Sequence, residues 1–157
     1  MILKLLGVFF LSMVPVIELR GGVPLAIGWG INEIWAIIIC VIGNMIPVPF
    51  IYLFSRKILT YGANKRFVGG FCRWMLAKGE RAGQKLVHKA GRTGLFIAMM
   101  LFVGIPIPGT GAWTGTMGAS FLNMGLKSTV LSVCLGVVIA GIIMTLASLG
   151  VVHAFGL

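Results

Sequence analysis

Two apolar runs decide what this chain can be. Residues 33–55 and 126–152 are 23 and 27 residues long, and about 20 apolar residues suffice to cross a bilayer as a helix. Each predicts one membrane-spanning helix. Composition agrees: 59% of the 157 residues are hydrophobic and 10% are charged, against about 25% charge in a soluble domain. A soluble chain of this length lacks the polar surface to cover so much apolar area. The reading is a multi-pass protein of the inner (cytoplasmic) membrane, one domain over residues 1–157.

Two further apolar stretches are interrupted. The first runs over 2–17 and 22–31, around VPVIELRGGVP with Pro15, Gly21, Gly22 and Pro24. The second runs over 93–105 and 109–122, around GIPIPGTGAWTG with Pro106, Pro108, Gly109, Gly111 and Gly115. The arm Leu3–Val16 has 14 residues, about 21 Å as a helix, short of the ~30 Å hydrocarbon core. Two short arms around a breaker predict a re-entrant hairpin; the alternative is that each broken stretch crosses once, giving four plain spans, and the hairpins are preferred because they place Lys127 on the cytoplasmic side. Irregular backbone at that depth is tolerated only inside protein or beside a wet cavity.

The order hairpin, then spanning helix, occurs twice. Pro15 and Pro106 lie 91 positions apart, as do Asn32 and Asn123. A hairpin and one crossing place the second hairpin on the other side of the membrane. The expected fold is therefore all-α, with two inverted repeats over 1–55 and 93–157. That is a recurrent transporter design with its site at the repeat interface. Between the halves, residues 56–92 hold ten of the 13 basic residues and one acid, Glu80. A short basic loop between apolar segments is cytoplasmic. Val68, Phe71, Cys72, Met75, Leu76, Gly79, Ala82, Gly83, Leu86, Val87 and Ala90 set an apolar helical face there, and Lys78, Arg81, Lys85, Lys89 and Arg92 a basic one. Such a helix lies on anionic lipid; the net charge of +10 calls for no nucleic acid in a membrane chain.

Glu18 and Arg20 carry the sharpest functional signal. They sit in the first hairpin break, and ionisable residues at membrane depth mark pathways and proton relays. The second break offers Pro106, Pro108, Gly109, Thr110, Gly111, Trp113 and Thr114, with free backbone N–H groups near Thr110 that suit an anion. Asn44, in the middle of the 33–55 helix, needs a partner. These residues, with Pro15, Gly21 and Gly22, are expected to line one polar cavity between two opposed hairpin tips, Glu18 and Arg20 binding proton and substrate.

Cys40, Cys72 and Cys134 have neither metal nor disulfide spacing, and the two histidines lack metal-spaced partners. With no metal, no cofactor and no nucleophile set, the expectation is a protein that is not an enzyme. The N-terminal segment imitates a signal peptide but lacks a small-x-small cleavage site before its charges, and is expected to stay in the mature protein.

The run Glu18-Leu19-Arg20-Gly21-Gly22-Val23-Pro24, taken with Pro106-Ile107-Pro108-Gly109-Thr110-Gly111-Ala112-Trp113-Thr114-Gly115, resembles the putative small multidrug export protein family. The resemblance covers nearly the whole chain and implies transport. That family in turn is similar to the DedA superfamily, which implies opposed re-entrant hairpins, translocation of undecaprenyl phosphate, and an essential acid, here Glu18. The paired arginines of the DedA second half have no counterpart in 104–122. The function expected first is proton-coupled export of small or amphipathic solutes. The alternatives are a DedA-like lipid-phosphate translocase, with Arg20 and the 109–111 backbone on the anion, and a membrane scaffold acting through its basic helix. The partners expected are a small-molecule or lipid substrate, protons and anionic lipids, and the reading admits a homodimer.

Overall fold

The computed structural model describes residues 2–15, 17–65, 69–107 and 109–155. Of the residues singled out above, Pro108 and Val68 lie outside these, as does the side chain of Leu86. The described residues form the helices α1 (Ile2–Met13), α2 (Glu18–Gly28), α3 (Glu33–Met45), α4 (Pro47–Ala63), α5 (Gly69–Gly104), α6 (Ala112–Phe121) and α7 (Leu126–Phe155).

Among the described residues two single rods are long and apolar enough to cross a bilayer, and the bent pair within α5 passes the same test only if its two parts are taken together. One rod is α3 with α4, Glu33–Ala63, 31 residues of mean hydropathy 2.3; the other is Leu126–Val151 of α7, 26 residues of mean hydropathy 2.6. This is a helical membrane protein. Asn32 starts the first rod, its side chain accepting the Ile34 N–H at 3.1 Å, as an N-cap does. The rod continues past Ile46 because Pro47 takes the first position of α4, where its missing N–H costs nothing. It also runs eight residues beyond the expected end at 55. The segment Arg56–Ala63 belongs to α4, so the basic linker helix starts at Gly69 and not at residue 56.

The remaining helices form two short-armed pairs. The 12 residues of α1 and 11 of α2 span about 18 and 17 Å, and neither reaches across a ~30 Å core. Lys4, in the first turn of α1, donates to the carbonyl of Trp29 at the end of α2 at 3.1 Å. The chain therefore comes back to the level at which it began. The second pair joins the last part of α5 to the 10-residue α6. α5 leaves helical geometry at Gly91 (φ 70, ψ −179), a region open to glycine almost alone. The parts Gly69–Lys85 and Val87–Gly104 consequently lie at 95° to each other.

Both breaks are shorter than their Pro/Gly content predicts. Gly21, Gly22 and Pro24 lie inside α2, not in the break. Gly22 is a packing residue: a Cβ there would sit 2.5 Å from Ser12 Oγ of α1 and 3.0 Å from Cys40 Sγ of α3. In membrane proteins small residues let helices approach closely, and that role, rather than chain breaking, explains it. Gly21 lies on the same helix, its Cβ position 2.5 Å from the side chain of Ile17.

The same devices recur 93 positions on. α2 ends in a Schellman motif in which Gly30 (φ 75) donates to Ile27 and Ile31 donates to Ala26. α6 ends in another, with Asn123 (φ 57) donating to Ser120 and Met124 to Ala119. Gly43 of α3 lets the α1 backbone in, its Cβ position 2.6 Å from the carbonyl oxygen of Phe9; Gly136 of α7 does the same for α5, 2.7 Å from that of Met100. The first arms stand at the smaller spacing of 91, Phe9 to Met100 and Ser12 to Val103. The second break is thus two residues longer. Asn32 and Asn123, matched by spacing alone, do different jobs: one starts a helix, the other ends one.

Candidate functional site

The two breaks meet, and they meet through charge on backbone. Glu18 opens α2 with φ 49, a left-handed conformation that a residue with a Cβ seldom adopts and that costs about 1–3 kcal/mol. Only 5% exposed, its carboxylate accepts the N–H of Ala112 at 3.3 Å and of Trp113 at 3.1 Å. These are the first amides of α6, which have no partner within their own helix. A carboxylate at a helix N-terminus also meets the favourable end of the dipole.

Arg20 serves the other side of the same break. Its guanidinium donates to the carbonyls of Ile107 and Ile105 and, at 2.7 Å, to Thr110 Oγ1. These carbonyls follow the C-terminus of α5, where a cation is favoured. Thr110 passes the interaction on, its hydroxyl lying 2.9 Å from both carbonyl oxygens. A third contact runs the opposite way: Trp113 Nε1 donates to the carbonyl of Met13, the last residue of α1, at 3.2 Å. Each break thus supplies hydrogen bonds to polar backbone that the other leaves bare.

Gly111 makes the closeness possible. A Cβ there would fall 2.3 Å from Glu18 Oε2, so any side chain displaces the carboxylate. The tips touch directly, with Glu18 seated on the first amides of α6. Pro15 and Gly109 are exposed at the margin, Pro106 is half-buried, and Thr114 is exposed with a long 3.5 Å contact to the Gly111 carbonyl. Gly109 has φ 87, which its missing Cβ permits. Gly21 and Gly22 sit on α2 against Ile17, Ser12 and Cys40.

Asn44 is placed apart from these contacts on α3, fully buried, and among the described residues neither its Oδ1 nor its Nδ2 has a partner. Thr116 of α6 is likewise buried with its hydroxyl unpartnered. Unsatisfied buried groups of this kind cost about 1–3 kcal/mol each. Sequence reasoning did not single out Thr116, and helical spacing from Ala112 onto the buried face was the signal for it.

A second polar seam bolts α4 to the end of α6. Tyr52 donates its hydroxyl to the carbonyl of Met124, Ser120 donates to that of Tyr52 at 3.2 Å, and Arg56 donates to Asn123 Oδ1. Two of these three acceptors are backbone carbonyls, which carry no residue signature, so the seam is not visible in the sequence.

Among the described residues no group of three or more His, Cys, Asp or Glu is placed to hold a metal ion. A family model described as "Putative small multi-drug export protein" matches residues 18–143. No curated protein and no solved structure matches the chain.

Proposed function

The chain belongs to the putative small multi-drug export protein family, and we propose that it is a proton-coupled exporter of small or amphipathic solutes. The observation that carries this reading is the seat of Glu18 on the Ala112 and Trp113 amides. Ionised, the carboxylate makes charge-assisted bonds, roughly twice as strong as neutral ones. A proton arriving on Glu18 removes that charge and the attraction of the α6 dipole. The tips then part, and the amides of α6, the carbonyls of Ile105 and Ile107, Glu18 and Arg20 face the space between them. A solute entering there completes the exchange when the proton leaves and Glu18 returns.

The architecture that suits this motion is a pair of inverted repeats, each a re-entrant pair of arms followed by one crossing. Its support is the short arms, the closure of α1 onto the end of α2, and the contacts that recur at spacings of 91 and 93. The polar ends of broken helices are where transporters of this design hold ligands. A lipid phosphate is the second reading: it suits the α6 amides and the buried Arg20 Nε, which has no partner among the described residues, although both Arg20 Nη groups already donate to Ile105, Ile107 and Thr110.

Reconstituted vesicles test it, with ethidium as the probe and an imposed pH gradient. Wild-type protein is expected to move the probe faster with the gradient than without it. Glu18→Gln, which keeps shape and one acceptor but cannot exchange a proton, is expected to insert normally and lose the gradient dependence. Equal fluxes in wild type with and without the gradient, or an unaltered pH profile in the variant, would overturn the proposal.

A further inference from the structure

The first part of α5 carries six basic residues and one acid between Gly69 and Arg92. Its placement is set by glycines. Cβ positions at Gly79 and Gly83 would fall 2.6 and 2.3 Å from the carbonyl oxygens of Phe121 and Leu122, and one at Gly62 of α4 would fall 2.7 Å from Cys72 Sγ. The face containing Cys72, Gly79 and Gly83 is thus pressed onto the ends of α4 and α6. This differs from the broad apolar face read from the sequence, because Phe71 and Val87 stay exposed.

A different stripe points away from the protein. Phe71, Trp74, Lys78, Arg81 and Lys85 follow one another at three- and four-residue steps, which keeps them on one side of the helix. Phe71 is 63% and Trp74 56% exposed, and their rings lie 6.0 Å apart. The Lys78 amine stands 4.6 Å over the Trp74 ring. Aromatic rings beside lysine and arginine are what a helix presents to the headgroup layer. The 95° angle to the Val87–Gly104 arm lays this helix across the direction of the inserted arm.

Between the stripe and α6 lies a shallow, open apolar groove of about 380 Å³. Trp74, Met75 and Ala82 form one wall, Gly118, Phe121 and Leu122 the other, and Lys78 is the charged member of the lining. We infer that this groove is a site for one anionic phospholipid of the surrounding bilayer, an acyl chain lying against Phe121 and Leu122 and the phosphate on Lys78. Charge decides the occupant: Arg81 and Lys85 follow Lys78 along the stripe, and Glu80 lies on the opposite side of the helix. A zwitterionic lipid would bring its own cation against that field. The inference concerns binding alone and stands whether or not the chain exports solutes.

Native mass spectrometry of the purified full chain, exposed to equal amounts of phosphatidylglycerol and phosphatidylcholine, tests it. Wild type is expected to retain phosphatidylglycerol over phosphatidylcholine. Lys78→Gln should lower that preference about fivefold, the effect of one basic residue at an anionic surface. Ala82→Trp, a change at an exposed position, should fill the groove and remove the bound lipid. Lys127→Gln, at the start of α7, should change neither. Equal retention of the two lipids, or retention unaffected by Ala82→Trp, would overturn the site. So would a loss in Lys127→Gln as large as in Lys78→Gln, which would mark diffuse attraction without a groove.

Discussion

Glu18 and Gly111 cannot both keep their places once the glycine gains a side chain. A methyl at position 111 would lie 2.3 Å from Glu18 Oε2 and 2.8 Å from its carboxyl carbon, so Gly111→Ala must push the carboxylate off the Ala112 and Trp113 amides. Overpacking of this sort costs about 1–3 kcal/mol. Glu18→Ala removes the same bonds by another route. The two changes act on one contact and are therefore expected to be non-additive: in detergent, the double variant should unfold close to where Glu18→Ala does. Full additivity of the two losses in thermal unfolding would show that the residues do not share a contact. Glu18 and Arg20 stand out in the sequence because charge in an apolar stretch is costly. Their partners do not, since the partners are backbone groups of Ile105, Ile107, Ala112 and Trp113. What the residue types could not show was that the carboxylate fills the anion site itself.

The helices teach a similar lesson about glycine and proline. The two crossings were evident from their length alone, and so were the short arms. The first break is narrower than its Pro/Gly content predicts, because Gly21, Gly22 and Pro24 lie within α2 and Gly22 is there for contact with Ser12 and Cys40. Gly43 and Gly136 carry no local signal, yet each admits the backbone of a first arm. Arms of 12 and 11 residues that start and finish together, as Lys4 and Trp29 show, cannot cross separately. If the pairs are re-entrant, Gly28 and Gly150 face the same side of the membrane and Lys85 the other. Single cysteines at these three positions, in a background with Cys40, Cys72 and Cys134 replaced, should react with an impermeant maleimide in intact cells at 28 and 150 and not at 85. Labelling at 28 with none at 150 would mean that the broken segments are plain crossings.

At the scale of the whole molecule, the halves are held together by what each lacks. The second pair leaves bare amides at the start of α6 and bare carbonyls after α5, and the first pair brings one acid and one base to cover them. Trp113 returns the favour to the end of α1. α2 also packs on α7, and α6 on α4, so each second arm touches the crossing of the other half. A spacing of 91 between Pro15 and Pro106 is visible in the sequence; the contacts that recur at 93, such as those of Gly43 and Gly136, are not, because two extra residues in the second break interrupt it. Glu18 holds the start of α6. Hydrogen exchange over residues 109–120, read by mass spectrometry, addresses that hold directly, because the first amides of a helix have no partner of their own. In wild type the Ala112 and Trp113 amides should exchange slowly. Glu18→Ala should speed exchange in this peptide while leaving peptides of α3 and α7 as they were. Identical exchange over 109–120 in the two proteins would contradict the account.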